Sequence, residues 1–342
     1  MDLTTSPEQD EIISSSAAFL RDRLPITRIR ALFDEPSNVD DAAWSGAAEL
    51  GWFVLGLPEA LGGVGFGLAD EVHLFREIGR GLATGPFLSS VLGARVAAFA
   101  GDAALAEAIG GGQRVGIVIP GSSTLIGADG SLTGPLQLLD CEPDGLALAV
   151  APDQAVLVRV ADLTGVAAVP CIDPGVRLRR AEAAGAVPVA RVTADVDPIQ
   201  RRGHVLAAAM LVGINEAVRD LSAEHAKNRF QFDKPIGVNQ AIKHPCADMA
   251  VRAQLGYAQS IFAAVATDEG RDDADYHAIS AHLTAAEYAD ISAAATVQIM
   301  GGMGFTFEHD AHLYCKRAFV LGQLFGGASS QLGRLLDLPS AR

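Results

Sequence analysis

Apolar residues recur at helical spacing through the last part of the chain, and this pattern constrains the fold more than any other feature. Ala207, Leu211, Ile214, Val218 and Leu221 are separated by four, three, four and three residues, which places them on one face of a helix. Val251, Leu255, Ala258, Phe262 and Val265 repeat the same spacing. A third helix is expected from about Asp275 to Met300, ending at Gly301-Gly302. Helices of this length bury such stripes against one another, which predicts an up-and-down bundle. Pro245 falls early in the second of them and either disturbs a backbone bond or marks a late start.

The front of the chain is also helical. Ser6-Pro7-Glu8-Gln9 supplies an N-cap, a proline at the first helical position and a capping-box glutamine. Further helical stretches run from Trp44 to Leu50, from about Ala69 to Gly79, and through the Ala-rich segment ending near Gly110. Glu71, Arg76 and Glu77 suit a solvent-facing side. From about Gly112 the character changes. Val115 to Ile119 and Val156 to Val160 are β-branched runs, and Asp129-Gly130 is a turn signal. The fold class is therefore mostly α with a small β domain. The expected units are an N-terminal helical domain over 1–112, a middle β domain over 113–195 and a C-terminal four-helix bundle over 196–342.

Composition narrows the function classes. The chain has 342 residues, 49% of them hydrophobic, enough for a sizeable core. Net charge is −15 with no dense Lys/Arg run, which argues against a nucleic-acid partner. An anionic ligand needs a local basic contact against that field. Cys141, Cys171, Cys246 and Cys315 form no CxxC pair and read as reduced, buried residues. The N-terminal MDLTTSPEQDEI lacks a basic stretch followed by an apolar core, so no secretory leader is expected. No bilayer span stands out. The expected location is the cytoplasm.

Several strings carry a resemblance. Glu49-Leu50-Gly51-Trp52 and Leu57-Pro58-Glu59-Ala60-Leu61-Gly62-Gly63-Val64-Gly65 stand near the start, followed by Glu77-Ile78-Gly79-Arg80. Downstream come Arg229-Phe230-Gln231-Phe232-Asp233-Lys234-Pro235-Ile236-Gly237 and Gln240-Ala241-Ile242-Lys243-His244. Gln298-Ile299-Met300-Gly301-Gly302-Met303-Gly304-Phe305 follows. Together, and in this order, they resemble the acyl-CoA dehydrogenases, whose segments read "ELGW…PEE.GG.G", "EELGR", "R.QFG.PIG" and "Q..GG.G". The resemblance spans nearly the whole chain and is weakest in the middle.

The chemistry of these residues suits a nucleotide. Arg229 presents a guanidinium fork that can bond two phosphate oxygens, and Phe232 offers a flat apolar wall. Gln231, Gln240 and Gln298 carry amides that both donate and accept. Gly301 and Gly302 allow close backbone approach. Singly, Arg229 reads as a surface ion-pair residue, Phe232 as core and Gly301-Gly302 as a helix C-cap; as a set they favour a cofactor. The resemblance implies FAD, with the matching residues reaching to the adenosine and pyrophosphate half of a neighbouring subunit's flavin.

The chain departs from the family in a selective way. α,β-Dehydrogenation of a CoA thioester needs a carboxylate base in a desolvated site. The family's "YEG" string corresponds here to Phe325-Gly326-Gly327, so the base position is Gly326. The alternative position, at the start of the first bundle helix, is Gly203. The family's "WIT" strand, which packs on the flavin ring, corresponds to Leu138-Leu139-Asp140. Of the "TEP..GSD" loop only Ile119-Pro120-Gly121-Ser122-Ser123 remains. No catalytic residue is therefore assigned. The pattern resembles the non-catalytic subunit of the α2β2 dehydrogenases of actinobacterial steroid side-chain degradation. That implies a sister subunit carrying the catalytic Glu, an acyl-CoA substrate with a bulky acyl group and an electron-transfer acceptor. The alternatives are a flavin-dependent hydroxylase on the same fold, or a scaffold subunit that has lost FAD. Glu308, His309, Asp310 and His312 read as an ordinary segment opening a helix rather than as metal ligands. Glu216 reads as the polar edge of an amphipathic helix, and Arg271-Asp272-Asp273 as a solvated loop.

Overall fold

The computed structural model describes residues 4–33 and 35–339. Met1–Leu3, part of the segment read as lacking a leader, lie outside them. Five helices come first: α1 (Pro7–Arg23), α2 (Asp41–Glu49), α3 (Leu68–Arg80), α4 (Phe87–Phe99) and α5 (Ala103–Gly110). The Ala-rich stretch is thus two helices. The capping box at α1 forms as expected, with the Gln9 N–H donating to Ser6 Oγ and the Ser6 N–H to Gln9 Oε1. Every residue of α4 from Phe87 to Ala98 is buried, so it carries no polar stripe and acts as a central rod.

Eight strands follow: β1 (Val115–Pro120), β2 (Leu125–Ile126), β3 (Leu132–Leu139), β4 (Leu146–Val150), β5 (Gln154–Arg159), β6 (Thr164–Val169), β7 (Leu178–Ala186) and β8 (Ala190–Thr193). They form one sheet in the order β6-β7-β3-β1-β4-β5-β8, with β2 added onto β3. Only β1 and β4 pair in parallel; the other pairs are antiparallel. Alternation along the strands sends side chains to two cores. Ile117, Leu139, Leu148 and Leu157 join the main helical core, while Val118, Leu138, Ala147 and Val156 fill a second core of the sheet itself.

The last third comprises α6 (Ile199–Asn228), a hairpin of β9 (Phe230–Gln231) and β10 (Lys234–Pro235), then α7 (Gln240–Asp268), α8 (Ala274–Met300), α9 (Ala311–Gly322) and α10 (Gly327–Asp337). Pro245 lies inside α7 rather than before it. The α6 stripe is buried from Ala207 to Val218, with Leu221 half-buried. Each such fully buried Leu or Ile stabilises the bundle by about 1.5–3 kcal/mol. α3 crosses α6 at backbone contact: a Cβ on Gly79 would meet Met210 O at 2.0 Å, and one on Gly213 would meet Arg76 O at 1.9 Å.

Three local expectations are corrected. The α7 stripe does not face the bundle throughout, since Val251 and Leu255 are 57% and 52% exposed. The buried side is mostly small residues, among them Ala253, Gly256, Ser260, Ala263 and Ala264, which let the helices approach closely, with Met249 and Ile261 as its large members. Glu71 and Glu77 are buried, not solvent-facing. Glu71 accepts from Arg202 on α6 at 2.7 Å, an ion pair that explains a carboxylate in such a place. Asp273, expected in a solvated loop, is also buried and bonds Arg271. Among the described residues, no helix is long and apolar enough to cross a membrane.

Candidate functional site

Arg229, Gln231, Phe232, Gln240, Gln298, Gly301 and Gly302 gather at one end of the bundle. α6 and α8 run side by side towards that end, linked by the Ser222 hydroxyl donating to Thr296 Oγ1 at 2.9 Å. Arg229 therefore leaves the tip of α6 beside the tip of α8, where Gln298, Gly301 and Gly302 stand. The β9–β10 hairpin follows Arg229, and Gly237 returns the chain against Ala226, so Gln240 opens α7 at the same end. Gly301 caps α8 with left-handed φ of 64°, its N–H donating to Gln298 O. All seven residues are exposed. The single-residue readings of Arg229 as an ion-pair residue and Phe232 as core do not hold: among the described residues Arg229 has no ion-pair partner, and Phe232 is 97% exposed. A guanidinium, an aromatic ring, three amides and two glycines, all open to solvent, can receive a phosphate-bearing aromatic ligand from outside the chain.

The two glycines that the resemblance sets at the family's base positions come together. A Cβ on Gly203 would lie 2.5 Å from Phe325 Cζ, and Gly326 is the residue after Phe325. Phe325 takes left-handed backbone (φ 59°), flanked by Gly326 (φ 113°) and Gly327 (φ 65°). Its ring lies against Gly203 and packs 5.1 Å from the His204 ring. Apolar bulk thus stands against Gly203. Sequence reasoning dwelt on the glycines; Phe325, in the same string, is the residue that meets Gly203.

The strand end at Leu138-Leu139-Asp140 is closed as well. Leu138 points into the sheet's own core. Asp140, at φ 51°, accepts from Asn38 Nδ2 at 2.9 Å and from the Arg177 N–H at 2.7 Å. Desolvation pushes its carboxyl up to about 6, against the pull of those donors and of Arg317. Beside it, Arg317 on α9 pairs with Asp173 and donates to Ala83 O. The cavity left between Leu139, Asp140, Gly175, Met210, Arg317 and Leu324 measures about 50 Å³, room for a water or two. None of these polar partners was legible, because each pair joins segments far apart in sequence.

The segment expected to open a helix does so. The Ala311 N–H donates to His309 Nδ1, Asp310 pairs with Arg30, and His312 Nε2 bonds Phe307 O. Glu216 pairs with Arg76 and Arg80, and burial raises its pKa against those arginines.

Comparison with known proteins agrees with this architecture. Residues 6–109 match the acyl-CoA dehydrogenase N-terminal domain and residues 201–335 its C-terminal domain. The chain belongs to the acyl-CoA dehydrogenase family. It is similar to acyl-CoA dehydrogenase IpdE2 of Mycobacterium tuberculosis, 30% identical over 97% of each protein. It is also similar to acyl-CoA dehydrogenase FadE34 of the same organism, 31% identical over 90% of this chain, which spans 44% of FadE34. Among solved structures, the ChsE4-ChsE5 complex from Mycobacterium tuberculosis superposes over the full length of both chains, with a TM-score of 0.83 and 26% identity.

Proposed function

We propose that this acyl-CoA dehydrogenase chain is the non-catalytic subunit of a heteromeric, FAD-dependent enzyme of the cytoplasm. One observation carries the reading. The seven residues suited to a flavin's nucleotide tail are open at the bundle's end, while the strand end and glycine that the resemblance would give to the flavin ring and base are engaged within the chain: Leu138 in the sheet core, Asp140 with Asn38 and Gly203 against Phe325. Bound flavin supplies the hydride acceptor for α,β-dehydrogenation of an acyl-CoA. In this reading Arg229 holds the pyrophosphate, and Phe232 lies against the adenosine. Gln231, Gln240 and Gln298 bond its polar edges, and Gly301-Gly302 admits it closely.

The sister subunit supplies the carboxylate that removes the α-proton and the wall that packs on the flavin ring. A site completed by two unlike chains leaves one flavin, not two, per heterodimer. The likeness to the ChsE4-ChsE5 complex supports a heteromer. The resemblance to the actinobacterial steroid side-chain dehydrogenases gives the reading its bulky, steroid-type acyl substrate, with an electron-transfer protein as the acceptor of electrons.

The test is co-expression with candidate sister chains and a count of flavin per heterodimer. One FAD per pair, lost on Arg229→Ala, is the expected result. Tight FAD and acyl-CoA oxidation by this chain alone would refute the assignment. Flavin content unchanged by Arg229→Ala would favour a scaffold that has lost FAD.

A further inference from the structure

The turn that presents Phe232 also presents a carboxylate. β9 and β10 are joined by two residues, with Gln231 opposite Lys234 and Phe230 opposite Pro235. Phe232 and Asp233 both take left-handed backbone, φ 52° and 62°, the geometry of a type I′ hairpin turn. Asn-Gly or Asp-Gly ordinarily builds that turn, and a bulky residue at its first position is strained. Burial would offset the strain, yet Phe232 is fully in water. Strain held without internal compensation points to a contact with something outside the chain.

The family string "R.QFG.PIG" has glycine at the second turn position, where left-handed backbone is free of strain. Here that position is Asp233. Among the described residues it makes no ion pair, although Arg229 and Lys234 stand on the same hairpin. A free carboxylate so near an anion-binding arginine is repelled by phosphate. It accepts hydrogen bonds instead, and the hydroxyls of a ribose are donors of that kind.

Resting on the shared flavin site argued above, we propose that Asp233 is a specificity-determining residue for the adenosine half, its carboxylate accepting from the ribose hydroxyls. The hairpin then divides the ligand by chemistry: Arg229 takes the phosphates, Phe232 the base and Asp233 an unphosphorylated ribose.

The test uses the co-expressed heteromer and reads FAD release by flavin fluorescence, with displacement by ADP and by inorganic pyrophosphate. Asp233→Gly keeps the left-handed turn, so loss of the hairpin does not confuse the result. It is expected to weaken FAD and ADP about tenfold while leaving pyrophosphate within about twofold. Asp233→Asn, whose amide oxygen still accepts, is expected to hold FAD within about threefold. FAD and ADP unchanged in Asp233→Gly would overturn the proposal. So would tighter binding of FAD and pyrophosphate together, which marks simple repulsion, or dissociation of the heteromer by Asp233→Asn, which marks a contact with a cation of the sister chain. Arg229→Ala separates the two levels. If it releases flavin and Asp233→Gly does not, only the ribose contact falls; if it leaves flavin bound, the shared site itself falls.

Discussion

His204 on α6 and His282 on α8 face each other in the buried centre of the bundle, Nδ1 to Nδ1, across 3.0 Å. His282 Nε2 lies 3.1 Å from Leu321 O, which can only accept, so His282 carries its proton there and its Nδ1 accepts. His204 must then donate through Nδ1, which leaves its Nε2 a buried lone pair without a partner. Burial lowers the pKa of both rings: His204 well below its ordinary value, with His282 and Arg334 adding to the effect, and His282 to about 4 against the support of Leu321 O. Between pH 6.5 and 4 the unfolded chain binds protons that the folded chain refuses, so stability falls as pH falls. A shift of this size on His282 removes about 2 kcal/mol by pH 5. Urea unfolding at pH 7.5 and 5 is expected to show the loss, and His282→Gln to lessen it by a similar amount. Equal losses in the two proteins would count against a neutral pair.

The contact between Gly203 and Phe325 makes a second prediction. Gly203→Ala improves helix propensity in α6 but drives a methyl into the Phe325 ring. Overpacking of this kind costs about 1–3 kcal/mol. Combined with Phe325→Ala, the cost of Gly203→Ala is expected to shrink, because the obstructing ring is gone. Urea midpoints of the four proteins measure the coupling, and simple additivity would show that the ring yields freely.

Restoring the family's carboxylate should not restore catalysis. Gly326→Glu recreates the acid of the "YEG" string, but Phe325 still stands against Gly203 and Asp140 still closes the strand end. Dye reduction by the purified variant with acyl-CoA is expected to stay at background. Measurable turnover would mean that the chain's own ring site opens.

Glu71 and Arg202 tie the N-terminal helices to the bundle. Glu71 is 1% exposed, and its second oxygen has no partner. Glu71→Ala takes away the direct partner of the Arg202 guanidinium, leaving Asp268 at 3.5 Å and the more remote charge of Asp197, and is expected to cost about 3–5 kcal/mol. Glu71→Gln with Arg202→Met removes both charges and should cost less than Glu71→Ala alone. A double variant weaker than the single would show that the pair itself, not the stranded charge, carries the stability.

What was legible followed local chemistry. The Ser6 capping box, the α6 stripe and the stop of α8 at Gly301 are each set by residues within a few positions of one another, and each formed as expected. The seven residues read together from the sequence stand at one end of the bundle, and that common place follows from the parallel run of α6 and α8. What escaped depends on partners distant in sequence. Glu71 meets Arg202, 131 residues on, and Asp140 meets Asn38, 102 residues back. Apolarity itself misled on α7, where the close-packing side is mostly Ala, Gly and Ser, and the larger Val251 and Leu255 face out.

That outward stripe is where the assembly can be tested apart from the flavin. Val251 and Leu255 lie one turn apart on α7, and Ile291 of α8, the neighbouring helix, is also exposed. Large aliphatic side chains on adjacent helices form a surface suited to another chain rather than to water. Val251→Asp and Leu255→Asp remove no core packing, so each is expected to change the stability of the isolated chain by no more than about 0.5 kcal/mol. If the proposed heteromer buries that face, a carboxylate there would lose its water without gaining a partner, which is far more costly. Sedimentation velocity of the co-expressed pair should therefore show separate subunits for the double variant, with circular-dichroism melting of the single chain nearly unaltered. An intact heteromer would show that α7 faces solvent in the assembly as it does here.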